Sequence, residues 1–243
     1  MDKRAPAVAT AGQGAGRPRR VFLDVGAHQG QSLRAALEER WGFDRIWTFE
    51  PTQPCLEILG RIVDNRLTVV PAGWWSADAE MVVHDPGAIG ASVDARKSRG
   101  GETARCSFID AARWMSENID PTDLVWLKIN IEGAEIDVLD RLLSSGEISK
   151  VDHLVVHFDI EKLGEYERAA EMRQRLDDAG VKWREAKTVM FGPNDTYKLN
   201  TWLAWTHGLH VQRAAQKVTY AARRRLYFAR VRFSRRLGAR AAY

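Results

Sequence analysis

The stretch VFLDVGAHQG, residues 21–30, decides the fold. Its first five residues make a short apolar strand that runs directly into Gly26. A glycine there lets the backbone turn sharply and approach a ligand with no Cβ in the way. Gly30 permits close passage of the helix start that follows, where Ser32 opens a run with Leu33, Ala36, Leu37 and Trp41 at helical spacing. Asp24 supplies an acceptor pointing at the loop. The glycines are four apart, so this is neither the GxGxxG dinucleotide fingerprint nor a P-loop, which would need Gly-Lys-Ser/Thr.

Outward from this stretch the pattern repeats. Residues 45–49 form a second strand, a helix after Pro54 carries Leu56, Leu59, Ile62 and Val63, and residues 67–70 form a third strand. Strand, helix, strand, helix, strand implies a parallel sheet with right-handed crossovers. Residues 81–84 and 105–109 read as strands flanking a Gly-, Ser- and Arg-rich loop, and Asp110 stands at the N-cap of a helix bearing Trp114, Met115 and Ile119. Residues 124–129 are a fourth core strand with its helix at 135–143, and residues 151–158 a fifth. Leu163, Tyr166, Ala170 and Leu176 mark a further helix, closed by Gly180. Residues 182–191 and 201–206 read as two final strands joined by a Gly-Pro-Asn-Asp turn, an antiparallel closing pair.

Length and composition fit one ordinary soluble domain: 243 residues, 45% apolar and 28% charged. No apolar run reaches the eighteen or so residues of a membrane span. The two cysteines, Cys55 and Cys106, form no CxxC, which points to reduced thiols in a cytoplasmic protein. The net charge of +4 hides a segregation. Residues 1–20 carry five Lys/Arg against one Asp, residues 211–243 carry ten and no acid, and the middle therefore carries −10. The expected organisation is a disordered basic leader at 1–20, a catalytic or binding domain at 21–210 and a basic amphipathic helical tail at 211–243. The leader lacks the apolar stretch of a secretory signal. The tail fits an anionic membrane surface, an acidic partner, or the acidic domain of its own chain.

Two more signals carry chemistry. Glu50 ends the second strand twenty residues beyond Gly30, where an acid can accept both hydroxyl protons of a ribose. In KINIEGAE, residues 128–135, the polar residues Lys128, Asn130 and Glu132 alternate at the end of the fourth strand. On an extended strand they share a face, toward the crevice where open parallel sheets bind ligands. A structural ion pair between Lys128 and an acid is the alternative.

DVGAHQG, the FEP of residues 49–51 and KINIEGAE with the following Val138-Leu139 together resemble the FkbM family of S-adenosylmethionine-dependent methyltransferases. The resemblance spans roughly residues 21–157. It implies a Rossmann-like class I methyltransferase fold: a mainly parallel seven-stranded sheet with an antiparallel closing strand and helices on both faces. It also implies S-adenosyl-L-methionine as cofactor and O-methylation, often of a sugar or glycan hydroxyl. Carried onto this chain, the cofactor-binding positions are Asp24, Gly26, His28, Gly30, Glu50, Pro51 and Asn130; apart from the resemblance, Trp74 and Trp75 after the third strand are placed to flank an adenine, with core packing the alternative for one of them. His28 stands where the family often has asparagine, and Asn130 where it usually has aspartate; an amide cannot act as a base.

A sugar hydroxyl hardly ionises at neutral pH, so a positioned base helps. The candidates are His157, Lys128, Asp159 and Glu132, with His157 best matched in ordinary pKa. Asp159, Glu161 and His157 are the residues that could contribute metal ligands, but no spacing such as HExxH is present and no metal is expected. The Asn/Asp-Pro-Pro-aromatic signature of base-amino methyltransferases is absent, which argues against a nucleic-acid base as substrate. The alternative from another class is a non-catalytic binding protein on the same fold, recruited to a membrane or polyanion by its tail.

Overall fold

A computed structural model describes residues 17–209. Nearly all of the leader and the whole of the tail lie outside these residues. In chain order the elements are β1 (Arg20–Val25), α1 (Leu33–Ala36), β2 (Arg45–Phe49), α2 (Gln53–Leu59), β3 (Leu67–Val70), β4 (Gly73–Trp75), β5 (Ala79–His84) and β6 (Thr103–Asp110). They continue as α3 (Ala111–Asn118), β7 (Leu124–Ile129), α4 (Glu135–Ser145), β8 (His153–Val156), α5 (Tyr166–Asp178), β9 (Trp183–Glu185), α6 (Ala186–Val189) and α7 (Asp195–Thr206).

Six strands form one sheet in the order β3-β2-β1-β7-β8-β9, with every pairing parallel. Its central strands are apolar nearly throughout because both faces are covered. Val21, Leu23 and Val25 of β1, with Val125, Leu127 and Ile129 of β7, pack under α3, α4 and α5. Phe22 and Trp126 point the other way, toward α1, α6 and α7. The chain winds outward from β1 through β2 to β3, then returns to β7 and winds outward on the opposite side. The order therefore reverses between β1 and β7, the crevice where such sheets hold ligands.

The parallel α/β architecture agrees with the sequence reading; the strand count and the closing strand do not. Residues 201–206 are the end of α7, not a seventh, antiparallel strand. A short apolar run cannot be told from a buried helix by periodicity, and here Trp202 and Leu203 are wholly buried. The Asn-Asp expected in a hairpin turn starts the helix instead: the Asn194 side chain accepts from the Tyr197 N–H at 2.9 Å. Residues 182–191 split into β9 and α6. Strands β4, β5 and β6 leave the main sheet and form a small one of their own, in the order β4-β6-β5. The first helix is also shorter than its spacing suggests, and the Leu37 carbonyl accepts from the Arg66 guanidinium at 2.7 Å. No helix among the described residues is long and apolar enough to cross a membrane.

Candidate active site

The carboxyl ends of β1, β2, β7 and β8 open onto a cavity of about 170 Å³. Gly26 and His28 line it from the glycine loop, Glu50 and Pro51 from the end of β2, and Trp74 from β4. Lys128, Asn130 and Glu132 line it from β7 and the loop after it, and His157 from the end of β8. Nine of the expected site residues thus share one cavity. Asp24, Gly30 and Asp159 are not among its walls.

Asp24 acts from behind. It is fully buried and pairs with Lys128 Nζ at 2.8 Å, its register neighbour across β1 and β7. Its other oxygen accepts from Ser32 Oγ at 2.8 Å. Lys128 Nζ also donates to the Gly26 carbonyl at 2.7 Å. The ammonium is thereby committed to holding the loop, which leaves it ill-suited to take a proton from a substrate. Removing one partner of a buried pair strands the other charge, at a cost of about 3–5 kcal/mol. Asp24→Asn should lose about that much in urea-induced unfolding; a loss under about 1 kcal/mol would show that the pair does not hold the loop.

Gly26 has φ +82°. A Cβ on it would lie 1.9 Å from the Asn130 carbonyl oxygen. The close approach that requires glycine is to the backbone after β7, and Gly26 also lines the cavity. Gly30, at φ +80°, faces the side-chain ends of Leu59 and Ile62, so it serves helix packing outside the cavity. Between them His28 adopts φ +51°, unusual for a non-glycine residue. Its N–H donates to Glu50 Oε2 at 2.9 Å, and its Nε2 lies 3.1 Å from the Gly87 carbonyl. Hydrogen bonding to the Cys55 side chain holds its imidazole above the ordinary histidine range.

Glu50 is already engaged. Besides the His28 N–H it accepts from Thr52 N at 3.0 Å and from Thr52 Oγ1. A carboxylate has about four lone-pair sites, so a ribose using both hydroxyls must displace the Thr52 hydroxyl. Trp74 packs against Phe49 and Trp114, with centroids 4.9 and 5.8 Å away, and is both core residue and cavity wall. Trp75 belongs to the small sheet, against Phe108.

At the other end of the cavity, Glu132 pairs with Lys97 and, at 3.6 Å, with Lys162. Its carbonyl accepts from Ser92 Oγ at 2.7 Å, pinning the 85–103 loop over the site. Asp159 pairs with Lys162 at 2.9 Å outside the cavity. The His157 N–H donates to the Ile129 carbonyl at 2.9 Å, extending the β7–β8 ladder. Burial, then the Lys128 charge, drive its imidazole down to about 4. It is neutral at pH 7 and able to accept a proton.

Two buried polar atoms in these walls have no hydrogen-bond partner among the described residues: Asn130 Oδ1 and Trp74 Nε1. Such groups are few in native proteins. They leave an acceptor and a donor for a ligand. The carboxylates of Glu50, Glu132 and Asp195 outnumber the Lys128 ammonium and the His28 imidazolium in the lining, which suits a ligand carrying positive charge. The residue types fit a sulfonium nucleoside with ribose hydroxyls, an adenine and an amino-acid end.

Sequence reasoning missed Asp195 and Met190, both in the cavity wall. The helix start signal Asn194-Asp195, an N-cap followed by a first-turn acid, would have found the element that carries Asp195.

Residues 24–182, roughly two-thirds of the chain, match the family described as Methyltransferase FkbM domain. The crystal structure of Methyltransferase FkbM from Methylobacillus flagellatus KT is similar over 52% of this chain, at 20% identity and a TM-score of 0.36. The match spans 30% of that protein's length. No curated protein matches the chain.

Proposed function

Because the chain belongs to the FkbM methyltransferase domain family, we propose that it is an S-adenosylmethionine-dependent O-methyltransferase acting on a hydroxyl of a sugar, glycan or related metabolite. The observation that carries this reading is the convergence of Glu50, Asn130 and His157, from the ends of β2 on one side of β1 and of β7 and β8 on the other, on one cavity beside the switch point. Bound there, S-adenosylmethionine would supply a methyl group made electrophilic by its sulfonium.

The chain's own residues would bind, orient and take a proton. Glu50 would accept ribose hydroxyls, Trp74 would border the adenine, and Asn130 Oδ1 would accept from the ligand's ammonium. His157 would take the hydroxyl proton on its unprotonated nitrogen as the acceptor's oxygen gains the methyl group that the cofactor would supply. Burial keeps that nitrogen unprotonated at neutral pH.

Glu50→Ala should weaken S-adenosylhomocysteine binding by about tenfold or more, since a hydrogen bond to a charged group contributes roughly 1.5–3 kcal/mol. Isothermal titration calorimetry reads the affinity, and a thermal melt separates it from slackening of the His28 and Thr52 anchors. Unchanged affinity in the folded variant would remove Glu50 from the site. Incubation with S-adenosylmethionine and glycan extracts tests the reaction itself. Methyl transfer supports the enzyme; tight binding with no transfer to any extract would favour the non-catalytic binding protein.

A further inference from the structure

We propose that Asp195 is the electrostatic partner of His157, the carboxylate that stabilises the imidazolium formed when His157 takes the acceptor's proton. The proposal rests on the methyltransferase reading above. It adds a positioning residue from beyond residues 24–182, the span that matches the family.

Asp195 is the first residue of α7, and three features fix its place. The Asn194 side chain caps the helix through the Tyr197 N–H. Thr196 Oγ1 donates to the Gln31 carbonyl at 2.6 Å, fastening the first turn to the chain just after the glycine loop. Farther along, Leu199, Trp202 and Leu203 are wholly buried under the sheet. Asp195 therefore stands on a rigid element, and it and His157 are walls of the same cavity.

The charges that act on His157 come from three elements. Lys128 comes from β7, Glu132 from the loop after it, and Asp195 and Lys198 from α7. Lys128 is committed to Asp24. Glu132 is shared between Lys97 and Lys162. Among the described residues Asp195 pairs with Lys198 alone, at 2.8 Å, in a pair whose side chains are 56% and 36% exposed. Such partly exposed pairs are worth little, so Lys198 does not bind up the Asp195 carboxylate, and the same screening keeps its effect on His157 modest.

His157 needs that charge. Burial and Lys128 leave its ring neutral and ready to accept a proton, but make the protonated ring costly to hold. An acid in the same cavity lowers this cost as the proton arrives, because an opposite charge nearby favours the protonated ring. Asp195 acts on His157 in the raising direction, opposite to Lys128 and Lys198.

The test is an NMR titration of the His157 ring in the full-length protein, with its signal assigned by its absence in His157→Ala. In Asp195→Asn the His157 pKa should fall by about one unit, as expected on losing an opposite charge nearby. Lys198→Met should move it upward. An unchanged His157 titration in a folded Asp195→Asn protein overturns the proposal. Should that variant not fold, absence of the upward shift in Lys198→Met overturns it. Asp195→Asn should also lower kcat about tenfold on an acceptor extract and leave S-adenosylhomocysteine affinity within about twofold. Equal kcat in the two proteins would overturn the role. Wild-type protein that binds no S-adenosylhomocysteine, yet shows the Asp195–His157 coupling, would instead sink the methyltransferase reading.

Discussion

Replacing Gly26 by alanine should lower the melting temperature by about 10 °C or more, the largest loss expected from adding a single methyl group to this protein. Two costs add. Alanine in left-handed backbone loses about 1–2 kcal/mol, and Gly26 sits at φ +82°. Overpacking costs a further 1–3 kcal/mol or so. The methyl carbon would stand 1.9 Å from the Asn130 carbonyl oxygen, and that atom belongs to backbone that cannot swing aside. In a domain of this size each kcal/mol moves the melting temperature by about 2–4 °C. Ligand binding should fail as a consequence, because the shifted segment carries Asn130 and Glu132. A melt by circular dichroism checks the first claim. Wild-type stability with abolished ligand binding would show that Gly26 faces the ligand after all.

His157→Ala should lower turnover by about 10²-fold, while S-adenosylhomocysteine affinity stays within about twofold. General bases contribute about 10²–10⁴-fold, most when their pKa lies near the working pH. Burial holds His157 at about 4, so the lower end of that range applies. The sign of the pH dependence follows. The protonated ring cannot take a proton, so kcat/KM for the wild type should fall as pH drops through about 4, and that limb should vanish in His157→Ala. Full activity in the variant would pass the role to another group. A variant that does not fold would make His157 a structural residue.

The pattern that was legible in the sequence is the one set by local chemistry. Buried parallel strands read as unbroken apolar runs, so β1, β2, β7 and β8 stood out. Glycines needed at positive φ stood out at 26 and 30, and the strand-end polar residues fell on one crevice. What the sequence hid depended on contacts across the chain. Nothing near Gly26 announces that its neighbour is the Asn130 carbonyl, 104 positions away. Asp24 looked free to meet a ligand because its partner Lys128 lies on another strand. Residues 201–206 carry a strand-like composition, and only the packing of Trp202 and Leu203 onto the sheet settles them as helix. That misreading also concealed Asp195, whose place in the cavity wall comes with the first turn of α7.

The measurement that tests the central claim most directly is a crystal structure of the protein with S-adenosylhomocysteine. The account predicts the ribose hydroxyls on Glu50 with the Thr52 hydroxyl displaced, the adenine beside Trp74, and the ligand's ammonium on Asn130 Oδ1. The sulfur should face the space between His157 and Asp195. Ligand bound elsewhere, or a Glu50 carboxylate still fully engaged with His28 and Thr52 while the ribose lies away from it, would contradict the account.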